Sequence, residues 1–194
     1  MFATSCLAGL LALASPAQLP PNPETLTLDS ARSSAAFSVK VMWMFAVDGQ
    51  FGSVRGTVNI DRFRGQATVD AYIDAADVTM RRDGALAWVK SAEFFDVEHH
   101  PEVHFRSDAF PTTRLHLGGQ VPGMLTMRGI THAVVFDVLP SACEQPAVQC
   151  AIEAAGAVKR SEFGMTTRRA TLADKVELSF SIRIAEAPRS AAES

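Results

Sequence analysis

Apolar and polar residues alternate one by one along most of this chain, and that period confines it to strands with one dry face and one wet face. In "FSVKV", Phe37, Val39 and Val41 share a face opposite Ser38 and Lys40. In "ATVDAYID", Ala67, Val69, Ala71 and Ile73 oppose Thr68, Asp70, Tyr72 and Asp74. In "KVELSFSIRI", Val176, Leu178, Phe180, Ile182 and Ile184 oppose Glu177, Ser179, Ser181 and Arg183. Short turn signals separate such runs: Asp48-Gly49, Gly118-Gly119 and Arg128-Gly129. Parallel crossovers would need more helices than the sequence offers, so the pattern predicts an antiparallel sheet. One segment breaks the period. "RRDGALAWVKSAEFF" places Leu86, Val89 and Phe94 near helical spacing, with Asp83 able to cap, and predicts one short α-helix from Gly84 to Ser91. Many strands and one helix suit a sheet closed into a barrel, which removes sticky edges. An eight-stranded antiparallel β-barrel has room for side chains or for one small ligand.

With 194 residues the chain suggests one domain, and at 47% hydrophobic and 20% charged it can bury a core. A net charge of −3 with no basic stripe argues against a nucleic-acid surface. Residues 1–17, with an apolar run from Leu7 to Ala14 followed by small residues, read as a secretory signal peptide, although no Lys or Arg precedes the run. The run is too short to span a bilayer, which takes roughly 20 apolar residues. Residues 18–25, "QLPPNPET", read as an exposed linker. The barrel domain is expected over 26–187, with 188–194 as a tail. Removing the signal peptide removes Cys6 and leaves Cys143 and Cys150. An even pair in an exported chain favours a disulfide, with free thiols as the alternative.

The stretch "FFDVEHHPEVHF" gathers His99, His100 and His104 with Asp96, Glu98 and Glu102, which resembles a metal site. Pro101 prevents the helical arrangement of H-E-x-x-H. In an extended chain His99 and His100 point to opposite sides, and His104 lies on the wet face opposite Val103 and Phe105. Three ligands do not converge from that pattern, so no metal is expected. Ser161 is not in a G-x-S-x-G elbow, no glycine-rich phosphate loop is present, and no catalytic set emerges. The chain is therefore not expected to be an enzyme.

The same stretch carries a resemblance. Arg82, Asp83, Leu86, Phe94, Phe95, Asp96, Val97, Pro101, Phe105 and Ser107 resemble the R-D-x-x-L, F-F-D-V-x-x-x-P and F-x-S hallmarks of the YceI family. "LTMRGITHAV" and "RSEFGM" resemble its later segments, and "DGQFGSVRGTVNID" its early strand. The histidines fall where that pattern is variable. The resemblance implies a lipocalin-like barrel, export to the periplasm, and an internal tunnel holding a polyisoprenoid or similar amphipathic lipid. An isoprenoid quinone or a polyprenyl phosphate would be the partner, with no cofactor and no nucleic acid. Transient membrane contact and a homodimer are both compatible with that role.

The dry faces supply the expected ligand-binding residues. Phe37, Val39, Val69, Ala71, Ile73, Phe105, Phe136 and Phe180 are expected along the tunnel. Trp43, Leu86, Val89, Phe94, Phe163 and Met165 are expected nearer its ends. Ala71 is a small residue and would leave room inside a barrel. Two alternatives stay open: a barrel filled by its own side chains and used for docking, and an enzyme acting on a lipid.

Overall fold

A computed structural model describes residues 23–42, 44–81, 83–168 and 170–185. The proposed signal peptide, residues 18–22 of the proposed linker, Trp43, Arg82 and the tail lie outside the described residues, as does the side chain of Asp83.

Among the described residues twelve strands are present: β1 (Glu24–Thr27), β2 (Ser34–Val41), β3 (Phe45–Phe51), β4 (Val54–Asp61), β5 (Gln66–Asp74), β6 (Val78–Met80), β7 (Glu102–Ser107), β8 (Phe110–Pro111), β9 (Gly119–Met127), β10 (Ile130–Val138), β11 (Ile152–Lys159) and β12 (Leu172–Ile182). Eight of the twelve pair off as four long, bent strands. β1 pairs with β4 and β2 with β3, so residues 24–41 run antiparallel to 45–61 with a bend in each. β5 pairs with β4 and β6 with β3, so 66–80 continues the ring. β7 and β8 pair with β5, and β7 with β9. From there β9, β10, β11 and β12 pair in sequence. β12 then pairs with β2, and an isolated bridge from Leu28 to Ile184 extends that contact. The pairings return to their start, giving eight antiparallel strands in the round.

The bends have local causes. Between β1 and β2, the Asp29 carboxylate accepts from the backbone N–H of Ala31 and Arg32, folding residues 29–32 into a turn. The Ser33 hydroxyl donates to Arg183 C=O and accepts from Arg183 N–H, stitching that turn to the end of β12. Between β5 and β6, a 3₁₀ turn over Ala75–Asp77 is capped by the Asp74 carboxylate, which accepts from Ala76 N–H.

Several expectations need correction. Asp48-Gly49 is not a turn, because Gly49 is buried inside β3 opposite Phe37. A Cβ there would lie 2.4 Å from the Phe37 ring, so glycine serves close approach rather than chain reversal. Glu24 and Thr25, expected in the linker, begin β1. The helix α1 spans Asp83–Lys90, one residue earlier than expected, and a second helix, α2 (Arg114–Leu117), was not expected at all. Gly118-Gly119 ends α2 and leads into β9, with positive φ at both. Arg128-Gly129 does form a two-residue hairpin between β9 and β10, and both residues have the positive φ that a type I′ turn needs. A disulfide joins Cys143 to Cys150 in the β10–β11 loop.

The chain crosses from β11 to β12 around a buried cation. Arg160 is 1% exposed, and its guanidinium donates to the carbonyls of Ala173, Leu172 and Met165. Phe163 beside it is fully buried, and Gly164 closes the turn in the left-handed region. Losing the guanidinium leaves buried carbonyls without donors, which costs about 1–3 kcal/mol for each such group. Arg160→Met is expected to lower unfolding free energy by about 3 kcal/mol or more, measured by urea denaturation. A loss below 1 kcal/mol would show that water replaces the cation.

Candidate ligand-binding cavity

Alternation around the ring leaves one continuous apolar interior. A cavity of about 160 Å³ runs along it, lined by Val, Leu, Ile, Ala, Met and Phe side chains alone. Its α1 end holds the β2–β3, β9–β10 and β11–β12 connections as well as α1, and its α2 end holds the β4–β5 and β10–β11 connections as well as α2.

Four alternate residues of β12, Val176, Leu178, Phe180 and Ile182, face the cavity together with Ile184 just beyond the strand, as do Val69, Ala71 and Ile73 of β5. Phe37, Phe94, Phe105, Phe136 and Met165 also reach it. Val39, Leu86, Val89 and Phe163 do not. Val39, Val89 and Phe163 are buried in the packed core around the α1 end, and Leu86 packs against that core only in part. Trp43 lies outside the described residues. The sequence reading missed Val121, Leu125 and Met127 of β9, although "VPGMLTM" shows the same alternation. It also missed Phe51 and Phe95, and Ala147 of the disulfide loop, for which no local pattern exists.

Two aromatic groups shape the cavity. At the α1 end Phe37, Phe51, Phe94 and Phe95 pack with ring centroids 4.9–6.1 Å apart, largely edge to face, and Trp88 of α1 covers Phe94. Farther along the wall Phe105, Phe136 and Phe180 form a ladder at 5.0 and 4.9 Å. Several rings lie in recesses that glycines provide. A Cβ on Gly156 would come within 2.5 Å of Phe136, and one on Gly123 within 2.7 Å of Phe105. Each missing side chain lets a ring lie back against the wall instead of crossing the bore. Gly156→Ala is expected to push Phe136 inward and cost about 1–3 kcal/mol. In a Phe136→Leu background the same change should cost clearly less, which a double-mutant cycle reads directly. Additive costs would remove the recess from the account.

A model of the YceI-like domain matches residues 26–184. The chain belongs to the YceI-like domain family. No curated protein matches it. Solved structures with the same fold include BcnA of Burkholderia cenocepacia, at 22% identity and TM-score 0.66, covering 82% of this chain and 99% of that one. A polyisoprenoid binding domain from Saccharophagus degradans, implicated in plant cell wall breakdown, is 14% identical with TM-score 0.59, covering 84% and 98%. A Campylobacter jejuni YceI protein is 19% identical with TM-score 0.53, covering 72% and 85%.

The YceI-like hallmarks can be read physically in this chain. Phe94 and Phe95 supply the aromatic end of the cavity. Asp96 follows at φ +52, and its backbone carbonyl accepts from the N–H groups of His99 and His100. Across the barrel, Arg128 donates to the carbonyls of Ala92 and Phe94, fixing this segment to the β9–β10 hairpin.

The histidines are separately engaged. His99 Nδ1 lies 2.9 Å from the Asp96 carboxylate. His104 stacks on Tyr72 at 4.2 Å and meets the Asp70 carboxylate at 2.9 Å on the outer face. Among the described residues no three His, Cys, Asp or Glu side chains are grouped to hold a metal. The hydrogen bond that His99 donates to the Asp96 carboxylate raises the His99 pKa above its ordinary 6.5, and the same bond lowers Asp96 below 3.8. The His99 contribution to stability is therefore full below pH 6.5 and is lost as pH rises through the raised folded value. The Asp96 contribution is present above its unfolded value and is lost as pH falls through the lowered one. Histidine NMR titration should place His99 above 6.5, and Asp96→Asn, which keeps a residue tolerant of positive φ, should return it towards 6.5.

Proposed function

We propose that this protein binds an amphipathic lipid with an isoprenoid tail inside the barrel and carries or stores it in the periplasm. The observation that carries this reading is the cavity lined only by apolar side chains and running along the barrel axis. Such a lining offers no hydrogen bond and no charge, so it suits a hydrocarbon tail and leaves any polar head at an end of the barrel. Membership in the YceI-like family and the likeness to a polyisoprenoid binding domain support the same class of ligand. An isoprenoid quinone or a polyprenyl phosphate fits. The disulfide, together with the signal-like first 17 residues, supports export to an oxidising compartment.

The proposed role of the wall residues is shape and dryness, not bond breaking. A cavity of about 160 Å³ admits only a short piece of tail as it stands. A longer tail needs side chains to move, and Met127 and Met165 have the rotamer freedom to do so. The small volume also favours a second reading, a barrel packed on itself that serves as a docking domain.

Ala71 separates these readings, because it faces the cavity from the centre of β5. Lipid extracted from the purified protein and identified by mass spectrometry should contain an isoprenoid chain. Ala71→Trp should abolish loading by filling the bore while circular dichroism still reports a folded barrel. Asp70→Asn, on the outer face, should leave loading unchanged. A folded Ala71→Trp protein with a full lipid load would remove the ligand from the barrel. Wild-type protein that neither co-purifies with nor takes up a lipid would favour the filled barrel.

A further inference from the structure

We infer that the Cys143–Cys150 disulfide is a redox-reactive site whose reduction by a dithiol uncovers the α2 end of the cavity. The inference rests on the lipid-binding reading and adds its regulation.

The disulfide closes a small ring, its two cysteines 7 positions apart in the β10–β11 loop. Within the ring Ala147 is buried and lines the cavity, while Glu144, Gln145, Val148 and Gln149 are exposed. The ring is thus a plug whose buried apolar anchor is a single methyl group, and so small an apolar area holds weakly. Ala147 also sits at φ +70, a left-handed conformation that a residue with a Cβ abandons unless its surroundings hold it there.

The other ties from the ring to the wall are modest. Ala147 C=O accepts from Ile184 N–H at 2.9 Å, and the Arg183 guanidinium donates to the carbonyls of Val148 and Gln149 at 3.3 and 3.2 Å. Further bonds close the ring on itself: Gln149 N–H donates to Gln145 C=O, and Pro146 bridges to Cys150. Just before the ring, Ser141 N–H donates to His116 C=O, so α2 and the loop form one cover, and Leu115 of α2 lines the cavity beside Ala147. Breaking the disulfide frees the backbone of the ring, and that entropy works against a few solvent-exposed bonds. The strands of the barrel are not joined by the disulfide and keep their pairing.

Both cysteines are half-buried rather than sealed, so a thiolate can reach them. Ser141 sets the order of attack. Its Oγ accepts from Cys143 N–H at 3.3 Å and lies 3.2 Å from Cys150 Sγ, towards which its hydroxyl donates. A sulfur departing as thiolate is stabilised by such a donor, so Cys150 is the leaving group and Cys143 the sulfur attacked. One thiolate of the dithiol bonds to Cys143 Sγ as the Cys143–Cys150 bond breaks and Cys150 takes the electron pair. The second thiolate of the reductant then displaces Cys143, and the reductant leaves as a disulfide. The protein gains two electrons, and the two protons given up by the dithiol end on the cysteine thiols. A monothiol stops at the mixed disulfide, which Cys150 can close again, so a dithiol is the class of reductant that opens the ring.

The test compares the full chain oxidised, reduced with dithiothreitol, and as Cys143→Ser with Cys150→Ser. On reduction, hydrogen exchange at Ile184 N–H should speed by about tenfold or more, while Leu178 N–H inside β12 keeps its protection. Farnesol, the probe for tail entry, should bind about threefold faster or more once the cover opens, and re-oxidation should restore the slow rate. The double variant should behave as the reduced protein does, with or without reductant. Ser141→Ala should slow reduction by dithiothreitol. Equal exchange at Ile184 in the oxidised and reduced protein would show that the cover holds without the disulfide, and equal farnesol rates would show that the tail does not enter there. Either result overturns the inference. Farnesol refused in both redox states would instead strike the lipid-binding reading, and exchange at Ile184 would still decide whether the disulfide sets the cover.

Discussion

Closure of the sheet governs everything else in this molecule. A strand with a free edge presents backbone donors and acceptors that must find water or another chain. Here β12 returns to β2, and the bend after β1 brings Leu28 to Ile184. Backbone polarity is thereby used within the wall, and no polar side chain is needed inside to satisfy it. An interior without polar atoms is possible only on that condition. Where closure is locally irregular, polar groups appear at once: Ser33 bridges to Arg183, and Arg160 fills the gap between β11 and β12.

The two ends are finished by different chemistry. At the α1 end aromatic rings pack edge to face beneath a helix, and Arg128 holds the backbone that carries them. At the α2 end the cover is thin, made of a four-residue helix and a disulfide-bonded loop. The YceI-like hallmarks cluster at the first end, where Phe94, Phe95, Asp96, Arg160 and Gly164 each answer a specific packing or backbone demand. The cysteine pair belongs to the second.

Much of the wall was legible because a strand exposes its two faces in strict alternation. The inward residues of β12 and β5 follow from period two alone, and the β9–β10 hairpin follows from Arg128-Gly129. What stayed hidden depended on partners distant in sequence. Gly49 resembles a turn residue until the ring of Phe37 is placed over it. Val39 and Phe163 carry the right side chains on buried positions, but the core around the α1 end is already filled there. Ala147 enters the lining only because a loop folds across the barrel end, and α2 has too few residues to show a period.

The glycine recesses also constrain how such a wall can diverge. A ring and the glycine beneath it sit on neighbouring strands, as Phe37 and Gly49 do at one register position. Adding a methyl to one without shrinking the other brings carbon atoms within 2.4 Å. Change at these sites must therefore come in pairs, and the bore can widen or narrow only in steps of whole side chains. Relatives whose interiors differ in width should differ by such coupled exchanges, separated in sequence yet adjacent across the sheet.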